Sequence, residues 1–310
     1  MPLVTLKSLF DEARRGQYAL GYFEAWDSYS LEAVVEVAEA EGAPVILGFG
    51  CMMLDRTWLD AGGIEMLGAL GRVAATRARV PVSLLINEAH TVDQAERAMD
   101  AGFNAVMVDT SAWAVERATE TVAVLVRDAH ARGIAVEAEL GRLPDADAGA
   151  GRRLIDDSAA ALTDPAQAAH FVAQTGIDCL AVSIGNVHLL TQGYAPVDMA
   201  HLEAIRGCVD VPLVIHGGTS FPPSEVSRAI ALGVLKFNVG TALKQAFLAG
   251  VRETLTGLPE RVNVHDVMGS HTSKDLMMRG KAHMSAKVRA LLRLYGSSGR
   301  TSPAKPSIQR

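Results

Sequence analysis

Cysteine is scarce in this chain. It has three in 310 residues, Cys51, Cys179 and Cys208, and no CxxC pair. Three thiols cannot build a disulfide framework, so a reducing, cytoplasmic setting is expected. Positive charge is also in short supply. Lys and Arg number 29 against 35 Asp and Glu, a formal net charge of −6. A basic footprint for nucleic acid is therefore missing. No apolar run reaches the length of a membrane span. The first residues, MPLVTLKSLFDEARRG, read as an amphipathic helix with mixed charges, not as a signal peptide. Apolar residues, in contrast, make up 49 % of the chain and charged ones only 21 %. That balance excludes intrinsic disorder. The expectation is a soluble globular protein with neither a nucleic-acid nor a membrane partner. Its length fits two ordinary domains or one α/β barrel.

Short β-branched runs alternate with helical stretches and decide between these. The strand candidates are 18–23, 44–49, 81–86, 104–109, 134–140, 177–184, 212–216 and 235–239. Each is an apolar run bounded by Gly, Pro or Asp, as buried parallel strands are. Helical spacing of apolar residues follows Ser30, which can cap, and likewise Thr91. Pro222-Pro223 opens another helix, where a first turn tolerates proline. Gly42, Gly102, Gly133, Gly176 and Gly233 end helices just before strands. Eight strand–helix units in series predict a (β/α)8 TIM barrel over residues 1–295. A doubly wound open sheet is the alternative, but the first βα turn, GYFEAWDS, lacks a phosphate-binding glycine fingerprint. The long connection from Gly141 to Asp164 reads as a lid or a disordered loop, and residues 296–310 as a disordered tail. An apolar stripe on 277–294 is expected to pack on the barrel, with a partner subunit as the alternative.

Chemistry in such barrels sits at the C-terminal strand ends. Here those ends carry Glu24 and Asp27, then Asn87, Glu88 and His90, then Asp109. Strand five holds Glu137 and Glu139 on one side, and His188 follows strand six. Strand seven leads into His216-Gly217-Gly218-Thr219, and strand eight into Asn238-Val239-Gly240-Thr241. Strands six and seven are barrel neighbours, so His188 and His216 can approach each other. Two imidazoles and a carboxylate, Glu88 or Glu139, make an open metal site. Either histidine taken alone would be a strand-end hydrogen-bonding group; the pair facing acids favours a metal. His90 is a third imidazole or, more simply, a loop residue. Glu137 is a site acid or a buried acid bridged to Lys or Arg. The glycine-rich segments after strands seven and eight, Gly217, Gly218, Thr219, Asn238, Gly240 and Thr241, suit a phosphate, although glycine also serves tight turns.

Several segments together carry a family resemblance. They are Val80–Leu84, Ala101–Asp109, Val136–Gly141, Leu162–Pro165, Leu180–Gly185 with His188, Pro212–Thr219 and Gly233–Thr241. In these the chain resembles the class II, metal-dependent fructose-bisphosphate aldolases and their tagatose-bisphosphate relatives, over nearly the whole barrel. The resemblance implies a divalent metal, zinc first with manganese or cobalt as alternatives. It also implies a sugar-phosphate substrate and a homo-oligomer, dimer or tetramer. Four positions depart from it. The family's Asp-His after strand three, proton shuttle and metal ligand, is Asn87-Glu88 here. The Gly after the strand-six His and the phosphate-holding Lys three residues on are Leu189 and Gln192. The third position of Asn-Val-(Asp/Asn)-Thr is Gly240, and the Phe-Asn ending strand one is Phe23-Glu24.

Glu88 occupies the place of the family's imidazole, so the implied ligands are Glu88, His188 and His216. The alternative has Glu88 as base and Glu139 on the metal. Asn87 cannot move a proton, and losing a positioned base costs about 10²–10⁴-fold. The catalytic positions implied are Asn87 and Glu139, with Glu24 and Asp27 as further carboxylates able to move protons. Three functions are consistent with this pattern. The first is an aldolase acting on a ketose phosphate such as fructose 1,6-bisphosphate, releasing dihydroxyacetone phosphate. The second is a metal-dependent isomerase or epimerase of a sugar or sugar-acid phosphate. The third is a non-catalytic sugar-phosphate binder.

Overall fold

The computed structural model describes residues 3–146 and 162–301. Among these, eight parallel strands close into a barrel in chain order, β1 pairing with both β2 and β8. The strands are β1 Leu20–Glu24, β2 Val45–Gly50, β3 Val82–Ala89, β4 Ala105–Val108, β5 Ala135–Leu140, β6 Cys179–Val182, β7 Leu213–Ile215 and β8 Val234–Val239. Each falls on a run expected to be a strand. The expected (β/α)8 barrel is the fold, and the open-sheet alternative fails because β1 and β8 pair.

Helices lie between the strands. They are α1 Leu6–Gly16, α2 Ser28–Glu41, α3 Arg56–Trp58, α4 Ile64–Arg77, α5 Val92–Ala101 and α6 Val115–Ala131. Then follow α7 Pro165–Thr175, α8 Met199–Arg206, α9 Val226–Ala231, α10 Thr241–Gly257, α11 Val264–Val267 and α12 Leu276–Leu294. Local chemistry sets their starts. Thr91 caps α5 as expected, accepting from the Gln94 N–H. Ser30 does not cap α2. Asp27 does, and Ser30 closes the capping box as the third helical residue. A carboxylate is as good a cap as a hydroxyl, and Asp27 comes first in the chain. The double proline opens a 3-10 turn over Pro223–Glu225 ahead of α9. The five glycines expected to end helices all take positive φ.

Two apolar shells hold the barrel. Between strands and helices pack residues such as Phe49, Phe103, Phe171 and Phe237, all essentially buried. Each contributes roughly 1.5–3 kcal/mol on burial. Inside, Leu6, Leu9, Phe10 and Ala13 of α1 pack with Leu20, Leu85, Ala105 and Leu235 from strand starts. α1 therefore closes the N-terminal end of the barrel, and the polar end is the other one. α12 packs on α10 and α2 of its own chain.

Residues 296–301 depart from the disordered tail expected there. Ser297 is buried, Ser298 Oγ donates to Glu41, and the Gly299 and Thr301 N–H groups donate to the Glu41 and Gly42 carbonyls. Glu41 also takes Arg289 and Arg293, so one carboxylate gathers α2, α12 and the segment after it. The rest of the tail, 302–310, and the middle of the expected lid, 147–161, lie outside the described residues. Among the described residues no helix is long and apolar enough to cross a membrane.

Candidate active site

β3 ends irregularly. Its register with β4 shifts between Ile86 and Ala89, and Glu88 adopts φ 54°. Neighbouring strand residues normally face opposite sides. The bulge removes that alternation, so Asn87 and Glu88 both face the barrel mouth, and Asn87 Nδ2 donates to Glu88 Oε2 at 2.8 Å. A left-handed Glu costs about 1 kcal/mol, a strain kept where geometry matters.

The loop after β6 brings His188 to the same place. Its ends are fixed by the His188 N–H donating to the Pro144 carbonyl and the Ala146 N–H donating to the His188 carbonyl. Buried Asn186 donates to the His216 carbonyl at 2.9 Å and accepts from the Ile184 N–H, tying this loop to the end of β7. Gly217 has φ 63°, and a Cβ there would lie 2.1 Å from the Val187 carbonyl oxygen, so only glycine lets the two loops meet.

One nitrogen or oxygen each from Glu88, His188 and His216 lies within 4.8 Å of the others. His216 Nδ1 is 3.5 Å from Glu88 Oε1, and His188 Nε2 is 4.0 Å from the same oxygen. Glu139 is at the edge of this cluster. Its Oε2 is 3.0 Å from His216 Nδ1, yet it is buried without a well-formed hydrogen bond. The expected pair of histidines with an acid is thus assembled, and both candidate carboxylates are beside it.

Glu137 lies deeper than Glu139. Lys236 Nζ reaches both its oxygens, at 2.8 and 2.6 Å, and both side chains are fully buried. The reading of Glu137 as an acid bridged to a base is the observed one. The same carboxylate also holds His216 Nε2 at 2.8 Å. His216 is therefore gripped from below through Nε2, with Nδ1 turned toward Glu88 and Glu139. Burial alone would push the Glu137 carboxyl up; Lys236 and His216 outweigh it and hold it at about 2. Burial also opposes charge on His216, but the Glu137, Glu139 and Glu88 carboxylates hold its pKa well above the usual imidazole range. Glu88 likewise would rise on burial, and the His216 hydrogen bond with the charge of His188 brings it below the usual carboxylate value.

Lys236 was missed in the sequence, although a signal existed. It stands two residues before Asn238 on β8, so both point inward by the same alternation that pairs Glu137 with Glu139. Lys244 was missed too; its Nζ is 2.5 Å from Glu24 Oε1. Of the other candidates, Asp27 is used as the α2 cap, and Asp109 accepts from the Ser111 N–H in a turn. His90 is not in the cluster; its N–H donates to Gln94.

The mouth is an open cleft lined by Glu24, Asn87, Glu88, His188, His216, Gly217, Thr219, Asn238, Gly240 and Thr241, among others. Gly218 lies beside it, its N–H donating to the Asn238 carbonyl. Thr219 Oγ1 accepts from the Ala242 N–H, joining the β7 loop to α10. Several buried polar atoms here have no partner among the described residues: Tyr22 Oη, Asn87 Oδ1, and both Asn238 side-chain atoms. Groups of this kind are stable only when something polar occupies the cleft. A donor set of two imidazoles and a carboxylate, with a second carboxylate beside it, suits a divalent ion.

Comparisons with known proteins point to one family. The family model for class II fructose-bisphosphate aldolase matches residues 4–300. A fructose-bisphosphate aldolase of Geobacillus stearothermophilus is 34 % identical over 304 residues, 97 % of this chain and 100 % of that protein. A probable fructose-bisphosphate aldolase of Bacillus subtilis is 31 % identical, covering 87 % and 92 %. The crystal structure of the YdjI aldolase from Escherichia coli K12 superposes with a TM-score of 0.78 at 28 % identity, covering 97 % of this chain and 100 % of that one. By its sequence over nearly its full length, this chain belongs to the class II fructose-bisphosphate aldolase family.

Proposed function

We propose that the protein is a metal-dependent aldolase that cleaves or forms a carbon–carbon bond in a ketose phosphate. The observation that carries this is the convergence of Glu88, His188 and His216 at the C-terminal end of the barrel, with Glu139 adjacent. Glu88, His188 Nε2 and His216 Nδ1 would hold the ion, with Glu88 in the place of the family's imidazole. When bound, a divalent ion supplies Lewis-acid polarisation of a carbonyl and stabilises developing enediolate charge. A carboxylate ligand in place of an imidazole lowers the net charge by one unit, so that polarisation is weaker than with three neutral ligands. Zinc is the ion proposed, with manganese and cobalt as alternatives.

The chain's own residues supply the rest. Asn87 orients Glu88 through its amide N–H and offers its free carbonyl oxygen to a substrate hydroxyl. It is a positioning group in the place of the family's proton shuttle. Glu139, whose Oε2 lies at the edge of the cluster 3.0 Å from His216 Nδ1, is the carboxylate proposed to take the hydroxyl proton whose loss starts cleavage. Gly217, Gly218, Thr219, Asn238, Gly240 and Thr241 form the proposed phosphate-binding wall. Dihydroxyacetone phosphate is the proposed product, and fructose 1,6-bisphosphate the first substrate to test. A cytoplasmic location and a dimeric or tetrameric assembly are proposed on the family likeness.

The test is release of triose phosphate from a panel of ketose mono- and bisphosphates by protein loaded with Zn²⁺, Mn²⁺ or Co²⁺. Release that stops on chelation is expected. No release from any member with any ion overturns the reading. One observation favours a second reading: Asn87 carries no acid–base group. Isomerisation would appear as solvent deuterium entering recovered substrate with no cleavage.

A further inference from the structure

Glu24 stands where the family resemblance has Asn, Gly240 where it has Asp or Asn, and Gln192 where it has the phosphate-holding Lys. The first two changes are coupled in space. A Cβ on residue 240 would sit 2.0 Å from Glu24 Oε2, so any larger residue at 240 would push the Glu24 carboxylate out of its present position. The other oxygen of Glu24 takes Lys244, from the first turn of α10, at 2.5 Å. Among the described residues, the cleft walls carry the carboxylates Glu24 and Glu88 and no lysine or arginine. Lys244, outside the lining, is the cation bonded to Glu24. Asn238, buried and without a partner for either side-chain atom among the described residues, lines the same cleft beside Gly240.

A phosphate dianion bound against Gly240 and Thr241 would meet the Glu24 carboxylate unless a cation offsets it. The Lys244 side chain is 41 % exposed on a flexible stem while Glu24 is only 17 % exposed, so the ammonium is the partner free to move. We propose that Lys244 is the phosphate-binding cation of this enzyme, replacing the one lost at Gln192, and that Glu24 is its counterion in the free protein. The phosphate then competes with Glu24 for Lys244. The inference rests on the ketose-phosphate reading and names the residue that holds the phosphate.

The test is calorimetric binding of inorganic phosphate and of dihydroxyacetone phosphate to metal-loaded protein, which needs no turnover. Glu24→Gln removes the competitor and is expected to tighten both ligands by about tenfold. Lys244→Met is expected to weaken both by about tenfold or more, and Lys244→Arg to retain binding, because a charge-assisted hydrogen bond is lost only in the first. Dihydroxyacetone, which has no phosphate, is expected to bind all variants alike. Equal weakening by Glu24→Gln and Lys244→Met would make the pair a structural brace and overturn the proposal. So would unchanged affinities, or no saturable phosphate binding in either wild type or Glu24→Gln. Cleavage of a ketose phosphate with an unchanged KM in Lys244→Met would sink this inference and leave the aldolase reading standing. The predicted binding pattern without cleavage would do the reverse.

Discussion

His216 touches three carboxylates, and its two nitrogens have different tasks. Nε2 is fixed by Glu137, which is itself locked by Lys236. An acid behind an imidazole sets its tautomer and its basicity toward a metal on the other nitrogen. Glu137→Gln is therefore expected to lower zinc affinity about 10–100-fold in a competitive chelator titration. Lys236→Met should cost about 3–5 kcal/mol in urea unfolding, because it leaves a buried carboxylate with its main cation gone. This buried column was only partly legible in the sequence. The inward parity of Glu137, Glu139 and Lys236 follows from strand periodicity alone. That Lys236 reaches Glu137 depends on closing a barrel that brings residues 99 apart in sequence together. Asn87 and Glu88 were harder. Strand alternation would send one of them outward, and only the bulge at Glu88 turns both inward.

At the level of elements, the eight strands were readable because each is a contiguous apolar run with both faces covered, a local property. Caps and end segments were less so, since neighbouring polar residues compete for one N–H. Asp27 rather than Ser30 caps α2 for that reason. The segment 296–301 looked like tail by composition, yet Glu41, some 250 residues earlier, holds Arg289, Arg293 and Ser298 together. The Arg293 hydrogen bond, against some burial, keeps the Glu41 carboxyl below its usual value. A depressed carboxyl stabilises the fold above its unfolded pKa and loses that contribution as pH falls through its folded one. Glu41→Gln is expected to lower stability near neutral pH by about 1–2 kcal/mol and to flatten the acid limb of the stability profile, read by denaturant unfolding from pH 7 down to 3. A mutant curve parallel to wild type would remove Glu41 from that role. Leu189, left-handed at φ 56° where the family resemblance has Gly, should tolerate Leu189→Gly with less than about 1 kcal/mol lost, because relieved strain offsets added chain entropy.

For the molecule as a whole, the polar groups of six strand ends meet at one mouth while α1 seals the other end with apolar side chains. Carboxylates gathered there repel one another, and a cation that binds the folded state alone stabilises it. Zinc at 100 times its Kd is expected to add about 2.7 kcal/mol and to raise Tm by roughly 5 °C in a thermal scan. The central claim is narrower: Glu88 replaces an imidazole in a working metal site with His188 and His216. Metal analysis of the purified protein, wild type beside Glu88→Ala, His188→Ala, His216→Ala and Glu139→Ala, tests it most directly. One divalent ion per chain is predicted in wild type and in Glu139→Ala, with loss in the other three. A Glu88→Ala protein that keeps its ion, or a Glu139→Ala protein that loses it, would contradict the assignment.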